Sequence, residues 1–139
     1  MNPSTVDAPL PAVLLADSDL LLRRAVVQVA EELGLARVHG APDVHAAVRQ
    51  MEMQPFMALV VALDRGGDAI DLLTLLRCGQ YPSPAATPVA VLTGPGRDIE
   101  AARLSSLGIR ETLRSPCSAR GVLDLIARLL HQPLPGEPS

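Results

Sequence analysis

An α/β fold built on a doubly wound, five-stranded parallel sheet is predicted by three observations. Short apolar runs alternate with segments of helical period; three of those runs are apolar on both faces; and two mixed runs stand second and fifth in chain order. Strands covered on both faces belong in the middle of a parallel sheet, whereas polar residues at alternate positions suit an edge. Runs one, three and four are therefore central and runs two and five are outer. The predicted order is 2-1-3-4-5, with helices on both faces.

The first strand is the run 12–16, Ala-Val-Leu-Leu-Ala. Residues 19–33 follow with an apolar stripe of Leu22, Val26, Val29 and Leu33, and Gly34 closes that helix. Leu21 and Val27 fall off the stripe and are expected to be exposed. The second strand covers 36–39, where Arg37 and His39 mark an edge. Asp43 is placed to cap a helix running through Gln50. The third strand lies in the apolar run 57–63, and a helix over 69–78 ends at Gly79. The loop 79–88 carries Pro82, Pro84 and Pro88 and exceeds the usual length of such a connection, which makes it a candidate contact surface. Beyond it stand the fourth strand over 89–92, a helix over 98–107 closed by Gly108, and a mixed fifth strand over 109–113. Ser118 opens the last helix, with Val122, Leu125, Ile126 and Leu129 facing inward.

With 139 residues the chain is expected to form one domain over 12–131, between Pro-rich tails at 1–11 and 132–139. Aromatic residues make up only 1%, so there is little surface on which bases could stack; with a net charge of −3 and no basic run, nucleic acid and anionic membranes are not expected partners. No apolar run is long enough to span a bilayer, and the N-terminus lacks the grading of a signal peptide. A cytoplasmic location is expected. Cys78 and Cys117 lie far apart without metal-ligand spacing and are expected to be reduced thiols. His39, His45 and His131 show no ligand spacing either, and Thr93-Gly94-Pro95-Gly96 matches neither the P-loop nor the dinucleotide fingerprint and reads as a turn before a helix. No cofactor is expected.

In a doubly wound sheet, ligands gather beyond the carboxyl ends of the central strands. Here those ends carry Asp17-Ser18-Asp19, residues 61–64, Thr93-Gly94 and Ser115-Pro116-Cys117. Together with Arg23-Arg24, Gly66-Gly67-Asp68 before a helix ending Leu76-Arg77, Thr87-Pro88 before the fourth strand and Leu113-Arg114 in the fifth, this order resembles the receiver domain of bacterial two-component response regulators. The resemblance covers nearly all of residues 13–130 and implies a flavodoxin-like fold.

Receivers accept a phosphoryl group on an aspartate at the end of the third strand. Two acids after the first strand hold a divalent cation, and a Thr or Ser and a Lys grip the phosphate. Such a pocket neutralises charge: the phosphoryl oxygens need a cation and donors, and a hard cation needs carboxylates. The resemblance places Asp17 at the first acid, Thr93 at the hydroxyl and Pro116 at the family's cis proline. It places Ser18 at the second acid, Ser115 at the lysine and Thr112 at the aromatic switch position. Arg114 is one residue early, on the opposite face of its strand. Asp17 has a structural role open to it as well, because an acid near a helix N-terminus is favoured by the helix dipole.

Two residues compete for the acceptor position. Gapless counting from Pro55 and from Gly66-Gly67-Asp68 reaches Val61 from both sides, whereas Asp64 requires two compensating slips. With Val61 there, the resemblance implies a pseudo-receiver with a vestigial pocket of Asp17, Ser18, Val61, Thr93, Ser115 and Pro116, no catalytic residue and no metal beyond what Asp17 alone could hold. Asp64 then reads as a solvated loop acid. The expected function is a phosphorylation-independent interaction module in bacterial signal transduction, not an enzyme. Its partner would be a signalling protein or a second copy, met through segments 98–107, 109–113 and 118–130. The alternatives are a working phosphorelay receiver with Asp64 as a displaced acceptor, and a receiver-like fold binding a small ligand in the vacated pocket. The tail from Gln132 also fits a linker to a further part of a longer regulator.

Overall fold

The computed structural model describes residues 9–64, 66–96 and 102–131. Chain order is β1 (Ala12–Ala16), α1 (Leu20–Glu32), β2 (Arg37–Ala41), α2 (Val44–Met53), β3 (Ala58–Ala62), α3 (Asp68–Arg77), β4 (Val89–Thr93), a 3-10 turn (Leu104–Leu107), β5 (Glu111–Arg114) and α4 (Ala119–His131). The five strands are parallel in the order β2-β1-β3-β4-β5. The sequence predicts that order because β1, β3 and β4 alone are apolar on both faces.

Strand alternation divides the core into two layers. Val13, Leu15, Ala58, Val60, Ala90 and Leu92 face α1 and α4, whose buried residues include Val26, Ala30, Val122, Leu125 and Ile126. Leu14, Ala16, Leu59, Val61, Val89 and Val91 face the opposite way, toward α2, α3 and Leu104 of the 3-10 turn. Each fully buried Leu, Ile or Val contributes about 1.5–3 kcal/mol, so these two layers are the main stabilising term.

The helix ends follow the signals in the sequence. Asp19 caps α1 by accepting from the Leu22 N–H at 3.1 Å, and Asp43 caps α2 by accepting from Ala46 at 2.8 Å. Gly34, Gly79 and Gly108 follow their helical turns at positive φ, where glycine alone is unstrained. Ser118 accepts from the Gly121 N–H at 3.0 Å at the start of α4.

Several boundaries and faces differ from the sequence reading. Strand β2 runs from Arg37 to Ala41 because it pairs along the full length of β1, from Ala12↔Arg37 to Ala16↔Ala41. Strand β5 starts at Glu111, since only there does its ladder with β4 begin. Leu33 does not face inward: it is the cap residue beyond the last turn of α1 and is 67% exposed. The buried row is Leu22, Val26 and Ala30, an i, i+4, i+8 progression. Leu21 is exposed as expected, but Val27 is half-buried against the layer that faces α1 and α4. Of the helix expected over 98–107, residues 98–101 lie outside the described residues, and the described part closes as the 3-10 turn. Residues 1–8 and 132–139 of the two expected tails also lie outside them.

The loop 79–88 is anchored from within. Ser83 accepts from the Phe56 N–H at 2.9 Å, Thr87 donates to the Pro84 carbonyl at 2.6 Å, and Tyr81, Ser83 and Thr87 are buried. Arg77, in the last turn of α3, donates to the carbonyls of Ala85 and Thr87, both at 2.7 Å, and to those of Leu107 at 2.7 Å and Gly108 at 3.2 Å. One guanidinium thus joins α3, the proline loop and the approach to β5.

Candidate functional site

The carboxyl ends of β1, β4 and β5 bring Asp17, Ser18, Thr93, Ser115 and Pro116 to one end of the sheet, whereas Val61 is buried within β3 and Thr112 stands in mid-strand. Asp17 follows β1, and its backbone N–H extends the ladder to the Ala41 carbonyl at 3.0 Å. Its Oδ1 accepts from the Asp19 N–H at 2.8 Å, and its carbonyl accepts from Arg23 Nη1 at 2.7 Å. Asp17 therefore helps build the turn into α1. Ser18 beside it is exposed.

Val61 is wholly buried in β3, paired with Ala16 on one side and Val91 on the other. Its isopropyl group belongs to the α2–α3 layer of the core. Thr93 ends β4 half-buried; its carbonyl accepts from the Ser115 N–H, and its register partner is Arg114. Ser115 is half-buried and Arg114 is exposed, as expected of neighbours on opposite faces of a strand. The Ser115–Pro116 peptide bond is cis. Thr112 is exposed in mid-strand.

Two depressions open at this end, and Asp17 lines both. The first, of about 190 Å³, lies among the loops after β1, β2 and β3 and includes Ser18, Asp43, His45, Asp64 and Asp68. The second, of about 320 Å³, includes Asp19, Leu22, Ser115, Pro116 and Cys117. Val61 and Thr93 line neither. In the second depression Ser115 Oγ and Cys117 Sγ are 3.9 Å apart, and both cysteines are free thiols.

Asp64 is more than a solvated loop acid. It is half-buried, and its Oδ1 accepts from the Ala69 N–H at 3.0 Å in the first turn of α3. Gly67, the N-cap residue of α3, has no side chain to offer, so Asp64 satisfies an otherwise orphaned donor. The sequence signal was an acid shortly before a helix whose cap is glycine. Replacing Asp64 with Ala is expected to cost about 1 kcal/mol in a urea titration, as for other lost caps. An unchanged midpoint would show that the bond contributes nothing.

The first depression gathers four carboxylates, Asp17, Asp43, Asp64 and Asp68. Among the described residues His45 is the only lining residue that can carry positive charge, with Nε2 at 3.9 Å from Asp68. Such a field repels an incoming phosphoryl group unless a cation intervenes. Asp17 and Asp64 each commit Oδ1 to a backbone N–H, and the residue after Asp17 is a serine. Among the described residues, no group of three or more His, Cys, Asp or Glu is arranged to hold a metal ion. No described helix is long and apolar enough to cross a membrane.

No family model matches the sequence, and no curated protein matches it. Solved structures do match the fold. The HemR receiver domain from Leptospira biflexa superposes with a TM-score of 0.74 at 22% identity, covering 91% of this chain and 99% of that one. The receiver domain of Francisella response regulator 1452 gives 0.68 at 23% identity, covering 86% and 96%. A CheY-like receiver domain protein from Methanospirillum hungatei gives 0.67 at 18%, covering 87% and 94%. Similarity of this extent, together with the strand order and the placement of the β1, β3, β4 and β5 ends, identifies the chain as having the receiver-domain fold of the response regulators.

Proposed function

We propose that this chain is a degenerate receiver that acts in signal transduction by binding protein, independently of phosphorylation and without enzymatic activity of its own. The observation that carries the reading is Val61: a fully buried aliphatic side chain, with no atom able to accept phosphate, stands where gapless counting puts the acceptor. Ser18 and Ser115 replace the second acid and the lysine, and the exposed Thr112 replaces the aromatic switch. The partner is a signalling protein or a second copy. One surface for it is the face of β5 and α4, where Arg128 Nε contacts both carboxylate oxygens of Glu111 at 2.9 Å and fixes helix to strand.

A second reading is favoured by one feature, the shared lining of the first depression by Asp64 and Asp17. Asp64 would then be a displaced acceptor. Titration with beryllofluoride and magnesium, followed by amide NMR shifts, separates the two. The degenerate receiver is expected to show no saturable shifts at Asp64, Ala69 and Thr93. Saturable shifts at those residues would establish a working phosphoryl site and overturn the proposal.

A further inference from the structure

Between α2 and α3 the surface forms a groove of about 370 Å³ with an apolar floor of Val44, Val48, Leu72, Leu75 and Tyr81. Leu75 is 45% exposed there. The rim is acidic, with Glu52, Asp68 and Asp71. At Val44, His45 and Asp68 the groove runs into the first depression, which adds Asp17, Asp43 and Asp64. Among the described residues no lysine or arginine lines either part, and His45 Nε2 lies 3.9 Å from Asp68. The floor also contains a buried polar group without a partner, the Tyr81 hydroxyl. Buried hydroxyls normally find a hydrogen bond, and leaving one unmade is costly. Burial first, and then the nearby charge of Glu52, push its pKa upward, so it stays a neutral hydroxyl.

We propose that this groove docks a basic amphipathic segment of a partner protein, with Lys or Arg side chains spaced along it. Aliphatic contacts and the methylene stems of Lys and Arg would cover the floor, while their charged heads meet the rim carboxylates. Charge complementarity chooses this occupant: the groove is lined by Glu52 from α2 and by Asp68 and Asp71 from α3, with His45 as the one described lining residue of the other sign, and an acidic or neutral segment would leave those carboxylates uncompensated. The inference rests on the reading of the chain as a protein-binding module. It places the contact on α2 and α3, away from α4 and β5.

The test uses the full 139-residue chain and a fluorescently labelled amphipathic peptide of Leu and Lys, with a Leu and Glu peptide of equal length as control. Binding is read by anisotropy, and its location by amide shifts in an ¹⁵N-labelled sample. The basic peptide is expected to bind with an affinity that falls as salt rises, shifting α2, α3 and Tyr81, while the acidic peptide does not bind. Glu52→Gln with Asp71→Asn should weaken binding about two- to thirtyfold, the range for two lost surface ion pairs. The charge-matched pair Glu32→Gln with Asp124→Asn, outside the groove, should leave it unchanged. Equal weakening by both pairs, or shifts centred on α4 and β5, would overturn the proposal. So would concentration-dependent shifts in the groove without peptide, which would make a second copy its occupant. Failure here leaves the degenerate-receiver reading intact, because that reading is judged by phosphoryl transfer.

Discussion

Replacing Val61 by Asp is expected to destabilise the protein by about 4 kcal/mol, the scale of an unpaired charge forced into a core. Val61 has no exposed surface, and its neighbours in the layer are Leu14, Ala16, Leu59, Leu63 and Val91, none of which can donate a hydrogen bond from its side chain. The new carboxylate must stay protonated or disrupt the layer, and burial raises its pKa. Asp17 follows Ala16, the register partner of Val61, so its negative charge acts in the same direction. If position 61 is the acceptor position, as proposed, Val61→Asp alone should therefore give almost no labelling from acetyl phosphate. Adding Ser18→Asp and Ser115→Lys supplies a second cation ligand and an ammonium, and the triple variant should label measurably. A stable Val61→Asp protein that labels readily would show that the rest of the pocket is intact.

Arg77 is the second position where a large effect is expected. Its guanidinium satisfies four carbonyls, from Ala85, Thr87, Leu107 and Gly108, with no carboxylate among its hydrogen-bond partners. Arg77→Met keeps much of the apolar stem and removes every donor, at an expected cost of about 3 kcal/mol for a set of charge-assisted bonds, some of whose acceptors water can reach. Arg77→Lys should recover only part of this, because one ammonium cannot reproduce the planar fork. The measurement is a urea unfolding midpoint at constant m-value. A loss below about 1 kcal/mol in Arg77→Met would mean that the proline loop is held by its buried Tyr81, Ser83 and Thr87 instead.

The contrast between these two residues shows what the sequence made legible. The strand order could be read because burial on both faces leaves a continuous apolar run, and the burial of Val61 follows from its place in that run. The glycine and Asp helix boundaries were legible for the same reason: each is a local backbone requirement written in one residue. The role of Arg77 was not, since its partners are backbone carbonyls up to 31 positions away, and any residue type supplies a carbonyl. Leu33 misled because a helical stripe was extended through the cap, where the chain has already turned. Asp64 reads as a solvated loop acid because its partner is a backbone N–H, and the only trace of that bond in the sequence is the glycine at the cap of the following helix. The division of the expected pocket into two depressions sharing Asp17 depends on how the loops close over the strand ends, and strand order alone does not specify that.

The central claim is that the unmodified chain does not take a phosphoryl group. Incubation of the full chain with acetyl phosphate and magnesium, followed by intact-mass measurement under conditions that preserve acyl phosphates, tests it directly. The account predicts a single unmodified mass, identical in the wild type and in Asp64→Asn. A phosphoryl adduct on the wild type that disappears in Asp64→Asn would contradict it.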